Sequence, residues 1–422
     1  MQMVRWRLEI RGLPGKNRKK QKIVVLCQCK TAKNSISTPS KIPLDLPERI
    51  ASSKTNVLLV GYLLAGAILY GYAVTCGLGL TFDSQHYLAA ARSLLRNGTL
   101  QNPDGTVFSN WPPLYPVLLA MARADWQWIR AGQFLVFEGI LFLTWQLGKE
   151  ALQTTHARLF LALVTLFGTP LLLVNVFVWS EGVFILLTLA MYLSFGRYVA
   201  TDRLRWLIGL TLLSDLLCLQ RLVGILWVLA FATLLYLVQK RARTAIAYVV
   251  LSCLPVVFWL WRNVQVEATP SFLGNIGAAS FVQTCMGYTD AIGNWFVPTG
   301  VPLPVKAAVG VLWIAGILFF LVRHRPTVGS VAFQANYLTV FYLAGMIFLK
   351  GTFTEIDRFA VPAFGWLFLG LAAVGDTVRP LGWRRWLIIG VVGVWLLYPV
   401  SRTVKNAAFW HEVNCQVRDK QK

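Results

Sequence analysis

From about residue 56 to about residue 400 the chain is a succession of apolar runs, several of them long enough to cross the hydrocarbon core of a bilayer, and these runs dictate what it can become. A core of about 30 Å needs roughly 20 helical residues at about 1.5 Å each. Inside that core every backbone N–H and C=O must be satisfied within the protein, which leaves only helices or a closed barrel. The runs are continuously apolar and lack the short alternating segments of barrel strands, so the expected fold is an all-α polytopic membrane protein. With 56% hydrophobic and 14% charged residues, the composition excludes an ordinary soluble globule.

Eleven spans are expected, near 56 to 79, 130 to 147, 158 to 174, 180 to 196, 206 to 219, 222 to 238, 246 to 261, 306 to 322, 332 to 349, 360 to 375 and 386 to 400. As one helix the stretch 206 to 238 would be roughly 50 Å long, so it reads as two short spans broken near Gln220. The formal charge of +22 would suggest nucleic acid in a soluble chain, but here the basic residues sit in short segments between spans and no nucleic-acid partner is expected. The first 55 residues hold 13 Lys and Arg, among them Arg18, Lys19, Lys20 and Lys22, without the apolar core of a signal peptide. Placing them in the cytoplasm puts 26 of the 40 Lys and Arg on that side. The chain thus divides into a basic cytoplasmic segment 1 to 55, a transmembrane domain 56 to 400, and a polar tail 401 to 422 on the far side. Seven cysteines are scattered, and the closest pair, Cys27 and Cys29, has no second Cys/His pair at ligand spacing, so neither a disulfide framework nor a zinc site is expected.

Two non-cytoplasmic segments are long, 80 to 129 and 262 to 305, and function should concentrate there. In the first, Tyr87, Leu88, Ala91, Leu94 and Leu95 share one face of a helix that Gly98 stops, which reads as an amphipathic helix on the membrane surface. Trp111, Pro112, Pro113, Leu114, Tyr115 and Pro116 then return the chain to the bilayer through a stiff turn. The second segment, with Trp295, Phe296, Pro298, Pro302 and Pro304, reads as an ordered lid or a loop over a cleft.

Charged residues in so apolar a chain are the candidates for chemistry. Asp83 stands between the first span and the amphipathic helix, placed either as a base or as the helix N-cap. His86, one turn on, faces the same cleft or is merely interfacial. Glu181 opens the fourth span as a cavity acid or as a first-turn acid favoured by the helix dipole. Arg221 interrupts the longest apolar stretch, either for a phosphate oxygen or in an ion pair with Asp215. Arg262 ends the seventh span, as an anion ligand or a snorkelling side chain. Lys350, Glu355, Asp357 and Arg358 lie on one short loop, where Lys350 and Arg358 could hold a phosphate head group and the acids balance them.

Phe82, Asp83, Ser84, Tyr87, Ala90 and Ala91, followed by Pro112, Pro113, Leu114 and Tyr115, resemble the GT-C glycosyltransferases of the protein-mannosyltransferase and aminoarabinose-transferase type. Ser180 with Glu181, Arg221 with Gly224, and Asp357, Arg358 and Phe359 with Pro362 extend the resemblance over roughly residues 56 to 400. It implies transfer of a sugar, with inversion, from a polyprenyl-phosphate donor to a hydroxyl of a lipid, glycan or protein acceptor on the non-cytoplasmic face of a bacterial inner (plasma) membrane. Asp83 matches the activating base. Glu181, with His86, matches acceptor or metal positioning, and Arg221, Arg358, Lys350 and Arg262 fall to the donor phosphate. No cofactor is required, and a divalent cation, magnesium or manganese, on Asp83 and Glu181 stays open. Ser84 stands where many members carry a second acid. A transporter or flippase of lipid-linked sugars is the alternative, although no paired repeat marks one.

Overall fold

The computed structural model describes residues 53 to 266, 279 to 349, 355 to 378 and 382 to 420; Lys350 and nearly all of the basic amino-terminal segment lie outside the described residues. The described chain is helical, with only two isolated β-bridges. In order, the helices are α1 Ser53–Ala73, α2 Phe82–Asn97, α3 Leu114–Met121, α4 Trp126–Ala151, α5 Thr155–Leu166, α6 Thr169–Val176, α7 Glu181–Thr201, α8 Leu204–Gln220, α9 Gly224–Gln239 and α10 Ala242–Val266. They continue with α11 Phe281–Phe296, α12 Leu303–His324, α13 Val331–Leu349, α14 Ile356–Ala360, a 3-10 turn Val361–Ala363, α15 Phe364–Val378 and α16 Trp383–Lys420.

Among the described residues, eight helical stretches are long and apolar enough to cross a bilayer, and the 16-residue α9 is apolar but shorter. Helices α4 and α8, which carry charges, occupy the second and fifth expected spans. Val311, Leu312, Leu318, Phe319 and Val322 on α12, and Val250, Leu254, Val257 and Phe258 on α10, stand exposed. Surfaces that apolar and that continuous are stable against lipid rather than water. The chain is a multi-pass integral membrane protein. Its interior is packed by aromatic side chains: Trp227 of α9 stacks on Tyr342 of α13 at 5.2 Å and lies 5.6 Å from Trp366 of α15.

The first long segment is built as helices on protein. Tyr87, Leu88, Ala90 and Ala91 of α2 are buried with Phe108, Tyr115, Leu119, Ile129 and Val178, so the apolar face of α2 is covered by the protein itself, and Leu95 points away from it. Gly98 ends α2 in the left-handed region at φ 68°. The N-cap is Thr81 and not Asp83: the Thr81 N–H donates to Ser84 Oγ at 3.1 Å, and Ser84 Oγ donates to Val178 O at 3.0 Å. Capping is thereby complete without the Asp83 carboxylate.

The described part of the second long segment from 279 onward also differs from a lid. Residues 281 to 296 form α11, whose Tyr288, Ala291 and Trp295 are buried, Trp295 edge-on to Phe364 at 5.2 Å. The expected polar tail is the continuation of α16 through Pro399, with Thr403 and Asn414 buried against the bundle. Thr403 Oγ1 donates to Phe167 O at 2.6 Å, and Asn414 Nδ2 donates to Gly77 O at 3.1 Å. Polar side chains that satisfy main-chain carbonyls read as solvent-facing in sequence. Contrary to the cysteine spacing, Cys76 and Cys415 form a disulfide across a separation of 339 residues, just beyond the end of α1.

The break expected near Gln220 is present: α8 ends there, Arg221 is extended, and α9 starts at Gly224. A Cβ on Gly224 would meet Leu217 O at 2.9 Å and the Cys218 backbone at 3.0 Å, so glycine is what lets α9 fold back against the end of α8. Gly196, inside α7, has nothing within 4 Å of its would-be Cβ. Gly224→Ala is therefore expected to cost about 1–3 kcal/mol through overpacking, whereas Gly196→Ala should be neutral or stabilise by up to about 1 kcal/mol. Thermal unfolding in detergent checks this: the midpoint should fall for Gly224→Ala and hold or rise for Gly196→Ala.

Candidate functional site

Five of the charged residues singled out by sequence, Asp83, Glu181, Arg221, Glu355 and Arg358, meet at the end of the bundle where α2 packs. Glu181 is the first residue of α7, where the helix dipole favours an anion. Its side chain is 1% exposed and ion-paired on one oxygen to both Arg221 and Arg358, while its other oxygen accepts from Arg358 at 3.3 Å. Arg221 is held by its extended backbone between α8 and α9 and also donates to Ser180 Oγ at 3.0 Å. Arg358 projects from the short α14. Beyond Glu181 it pairs with Asp83 at 2.7 Å and, more weakly, with Glu355 at 3.4 Å.

Arg358 is thus a hub for three carboxylates, and its guanidinium lies over the Trp179 ring at 4.5 Å. Arg221 lies over Phe359 at 5.3 Å. Arginine suits such a place because its fork offers five donors and its charge is fixed. Exposure falls along the cluster from Glu355 at 41% through Asp83 and Arg221 at 13% each to Arg358 at 6% and Glu181 at 1%. The cluster therefore opens at its Asp83 and Glu355 rim and is closed at Glu181. Three carboxylates against two guanidinium groups give it a formal charge of −1.

Several residues that sequence reasoning did not single out hold this arrangement. Gln133, on α4, donates to Tyr115 Oη and to Phe177 O, both at 2.9 Å, and to Trp179 O at 3.3 Å. Gln220 donates to Ser180 O at 3.0 Å, and Trp179 Nε1 donates to Thr81 Oγ1 at 2.8 Å. Together they lock the segment 177 to 181. An amide within the expected span 130 to 147 is the signal by which sequence could have found Gln133. Burial pushes the Tyr87 phenol up, with Asp83 adding to the rise, which keeps the phenol protonated. Burial also raises the Glu355 carboxyl, against the pull of Arg358 and with the repulsion of Asp83 and Glu181.

The remaining candidates lie differently. His86 Nδ1 hydrogen-bonds to Phe82 O at 3.0 Å, and its ring packs between Phe82 and Trp111 at 4.2 and 5.1 Å. Arg262 donates to Phe108 O at 3.0 Å and to Asn263 Oδ1 at 2.9 Å and lies over Trp259, which ties α10 to the first long segment. Asp215 is not the partner of Arg221: Asp215 lies within α8, whereas Arg221 is extended beyond the end of that helix and turns to Glu181 instead. Lys350 lies outside the described residues.

No protein-family model matches the chain, and no curated protein does. Solved structures do. The crystal structure of ArnT from Cupriavidus metallidurans bound to undecaprenyl phosphate matches with a TM-score of 0.56 at 15% identity, over 87% of this chain and 77% of that one. The apo structure of the same protein matches with a TM-score of 0.52 at 16% identity, again over 87% and 77%. At such identity the likeness is one of fold alone: the chain shares the fold of ArnT over most of its length.

Removing Glu181 would leave two buried guanidinium groups without their shared counter-ion. Glu181→Ala is accordingly expected to destabilise the protein by about 3–5 kcal/mol, whereas Glu355→Ala at the exposed rim should cost less than about 1 kcal/mol. Unfolding midpoints in detergent for the two variants measure the contrast.

Proposed function

We propose that the chain is a membrane glycosyltransferase that moves a sugar from a polyprenyl-phosphate donor to an acceptor hydroxyl, with Asp83 as base and Arg358 and Arg221 as the clamp for the leaving phosphate. The single observation that carries this reading is that one guanidinium, Arg358, holds Asp83 directly, so that a proton acceptor and an anion ligand stand side by side at the open rim. The fold likeness to a protein solved with undecaprenyl phosphate supports the donor class.

In such a transfer the acceptor oxygen attacks the anomeric carbon while the bond from that carbon to the phosphate oxygen breaks, through a transition state with oxocarbenium character. The hydroxyl proton passes to the Asp83 carboxylate, and charge grows on the departing phosphate, where fixed guanidinium donors stabilise it without reorganising. Attack on the face opposite the phosphate inverts the anomeric centre.

Asp83 and Glu181 fit a divalent cation poorly. Both are ion-paired to guanidinium groups, and a dication there would sit against two fixed positive charges. The reaction proposed runs on the side chains alone, and His86 and Arg262 serve to shape the segment around α2.

Orientation follows from two independent supports. A disulfide at Cys76 and Cys415 suits an oxidising compartment, and the basic amino-terminal segment suits the cytoplasm. Both favour a site on the non-cytoplasmic face of the membrane.

With a labelled polyprenyl-phosphate sugar in membranes, Asp83→Asn is expected to lower transfer by about 100- to 10,000-fold while the protein stays folded, because the amide is nearly the same shape and Arg358 keeps its pairing with Glu181. The parent's rate should be the same with a chelator present. Transfer equal to the parent's would remove Asp83 as base, and translocation of the lipid-linked sugar without transfer would favour a flippase.

Glu355 supplies a pH dependence. Its raised carboxyl keeps its proton to higher pH than an ordinary glutamate, and the proton takes the cluster from −1 to neutral. The charged groups it faces are Arg358 on α14, Asp83 on α2, Glu181 on α7 and Arg221 between α8 and α9. Phosphate affinity should therefore rise as pH falls through that raised value and fade above it. Glu355→Gln should bind as the protonated parent does and flatten the profile, measured as binding of a polyprenyl phosphate from pH 5 to 8.

A further inference from the structure

A second constellation of reactive side chains lies away from the Arg358 cluster, where α16 passes the end of α1. Cys76 follows α1, and His411 and Cys415 lie one helical turn apart on α16. One ligand atom from each falls within 4.8 Å of the other two, and all three residues are partly exposed. The two sulfurs are joined in a disulfide. Beside them the imidazole is held for a purpose that a disulfide does not need. His411 Nδ1 lies 3.0 Å from Tyr72 O. A carbonyl only accepts, so Nδ1 carries the hydrogen, and in the neutral ring the lone pair is on Nε2, 3.8 Å from Cys415 Sγ. The ring is further fixed by stacking on Tyr72 at 4.6 Å and 11°. An N–H donated to a main-chain carbonyl, with the opposite nitrogen turned to a sulfur, is the outer-shell arrangement that orients a metal-ligating histidine.

We propose that Cys76, His411 and Cys415 form a thiolate–imidazole site for a d10 cation of the zinc type, which replaces the disulfide when the sulfurs are reduced. Opening the bond takes a dithiol reductant, whose two thiols give two electrons and two protons to the sulfurs and become a disulfide themselves. Binding the cation then releases the two thiol protons to solvent. Metal–sulfur bonds of about 2.3 Å in a tetrahedron set the sulfurs about 3.8 Å apart, against about 2.0 Å in a disulfide. A water completes the coordination from the exposed side.

Either state clamps α16 to α1, and the clamp reaches the Arg358 cluster through packed rings. Trp410 lies edge-on to Phe177 at 4.7 Å, Phe177 stacks on Trp179 at 4.4 Å, and Trp179 lies under Arg358.

The test is a titration of the full chain in detergent with cobalt(II) as the spectroscopic stand-in for zinc, after reduction by a phosphine. The reduced parent should develop a thiolate-to-cobalt charge-transfer band and tetrahedral d–d bands, saturating at one cobalt per chain and bleached by zinc, while the oxidised parent should show neither. Cys76→Ser with Cys415→Ser should abolish the bands, which separates this site from the other five cysteines, and His411→Ala should weaken binding by about tenfold or more. Absence of a thiolate band in the reduced parent, or equal bands in the parent and His411→Ala, would overturn the proposal. If the double cysteine variant does not fold, His411→Ala, which keeps the disulfide during folding, decides alone.

Discussion

The structure turns on a carboxylate, Glu181, that is closed off from solvent between two guanidinium groups. Moving an isolated ion from water into such a place costs several kcal/mol, and attraction to a partner returns this only if the geometry is good and the remaining lone pairs are satisfied. Here the partners come from three distant parts of the chain: the start of α7, the break between α8 and α9, and α14. None of the three charges is tolerable without the others, so the network fixes where these elements end. The break at Gln220 presents Arg221, Gly224 lets α9 turn back under it, and Gln133 and Gln220 hold the carbonyls of 177 to 180. Apolar packing holds the bundle together, while the ion network decides the geometry at one end of it.

That division explains what the sequence made legible. Spans were readable because an apolar run about 20 residues long has few other fates. The ends of the spans were less readable. Helix α16 runs on past the expected limit because Thr403 and Asn414 bond to carbonyls of neighbouring elements, and a polar residue buried in this way looks the same in sequence as one in water. The α2 helix was visible from its periodicity and Gly98, but what covers its apolar face was not, since the partners Phe108, Ile129 and Val178 are scattered along the chain. Cys76 and Cys415 are 339 residues apart, a separation at which spacing carries no information.

The site was legible in its members and opaque in its pairings. Asp83, Glu181, Arg221 and Arg358 stood out because a charge in an apolar context is expensive and must be matched. Sequence proximity suggested Asp215 for Arg221, yet the actual partner is Glu181, and Arg358 reaches it across 177 residues. Glu355 had seemed only to balance its basic neighbours. Its position beside Arg358, with Asp83 on the other side, shows it to be part of the rim that faces any incoming anion.

On the proposed reading the contact between Asp83 and Arg358 also sets the order of events. A carboxylate bound to a guanidinium is a weak base, because the ion pair stabilises the charged form that proton uptake would remove. A phosphate at Arg358 competes for the same N–H groups, and a more highly charged departing phosphate competes harder than a bound diester. As the sugar–phosphate bond lengthens, the guanidinium's interaction shifts from Asp83 to the leaving group, and the carboxylate becomes more basic as the acceptor proton needs a place to go. Stabilisation that is stronger in the transition state than in the ground state is what accelerates a reaction, and a shared arginine delivers it to both ends of the transfer at once. Glu181 makes this possible by anchoring the other face of the Arg358 guanidinium, so that the edge facing Asp83 exchanges partners while the group itself stays in place.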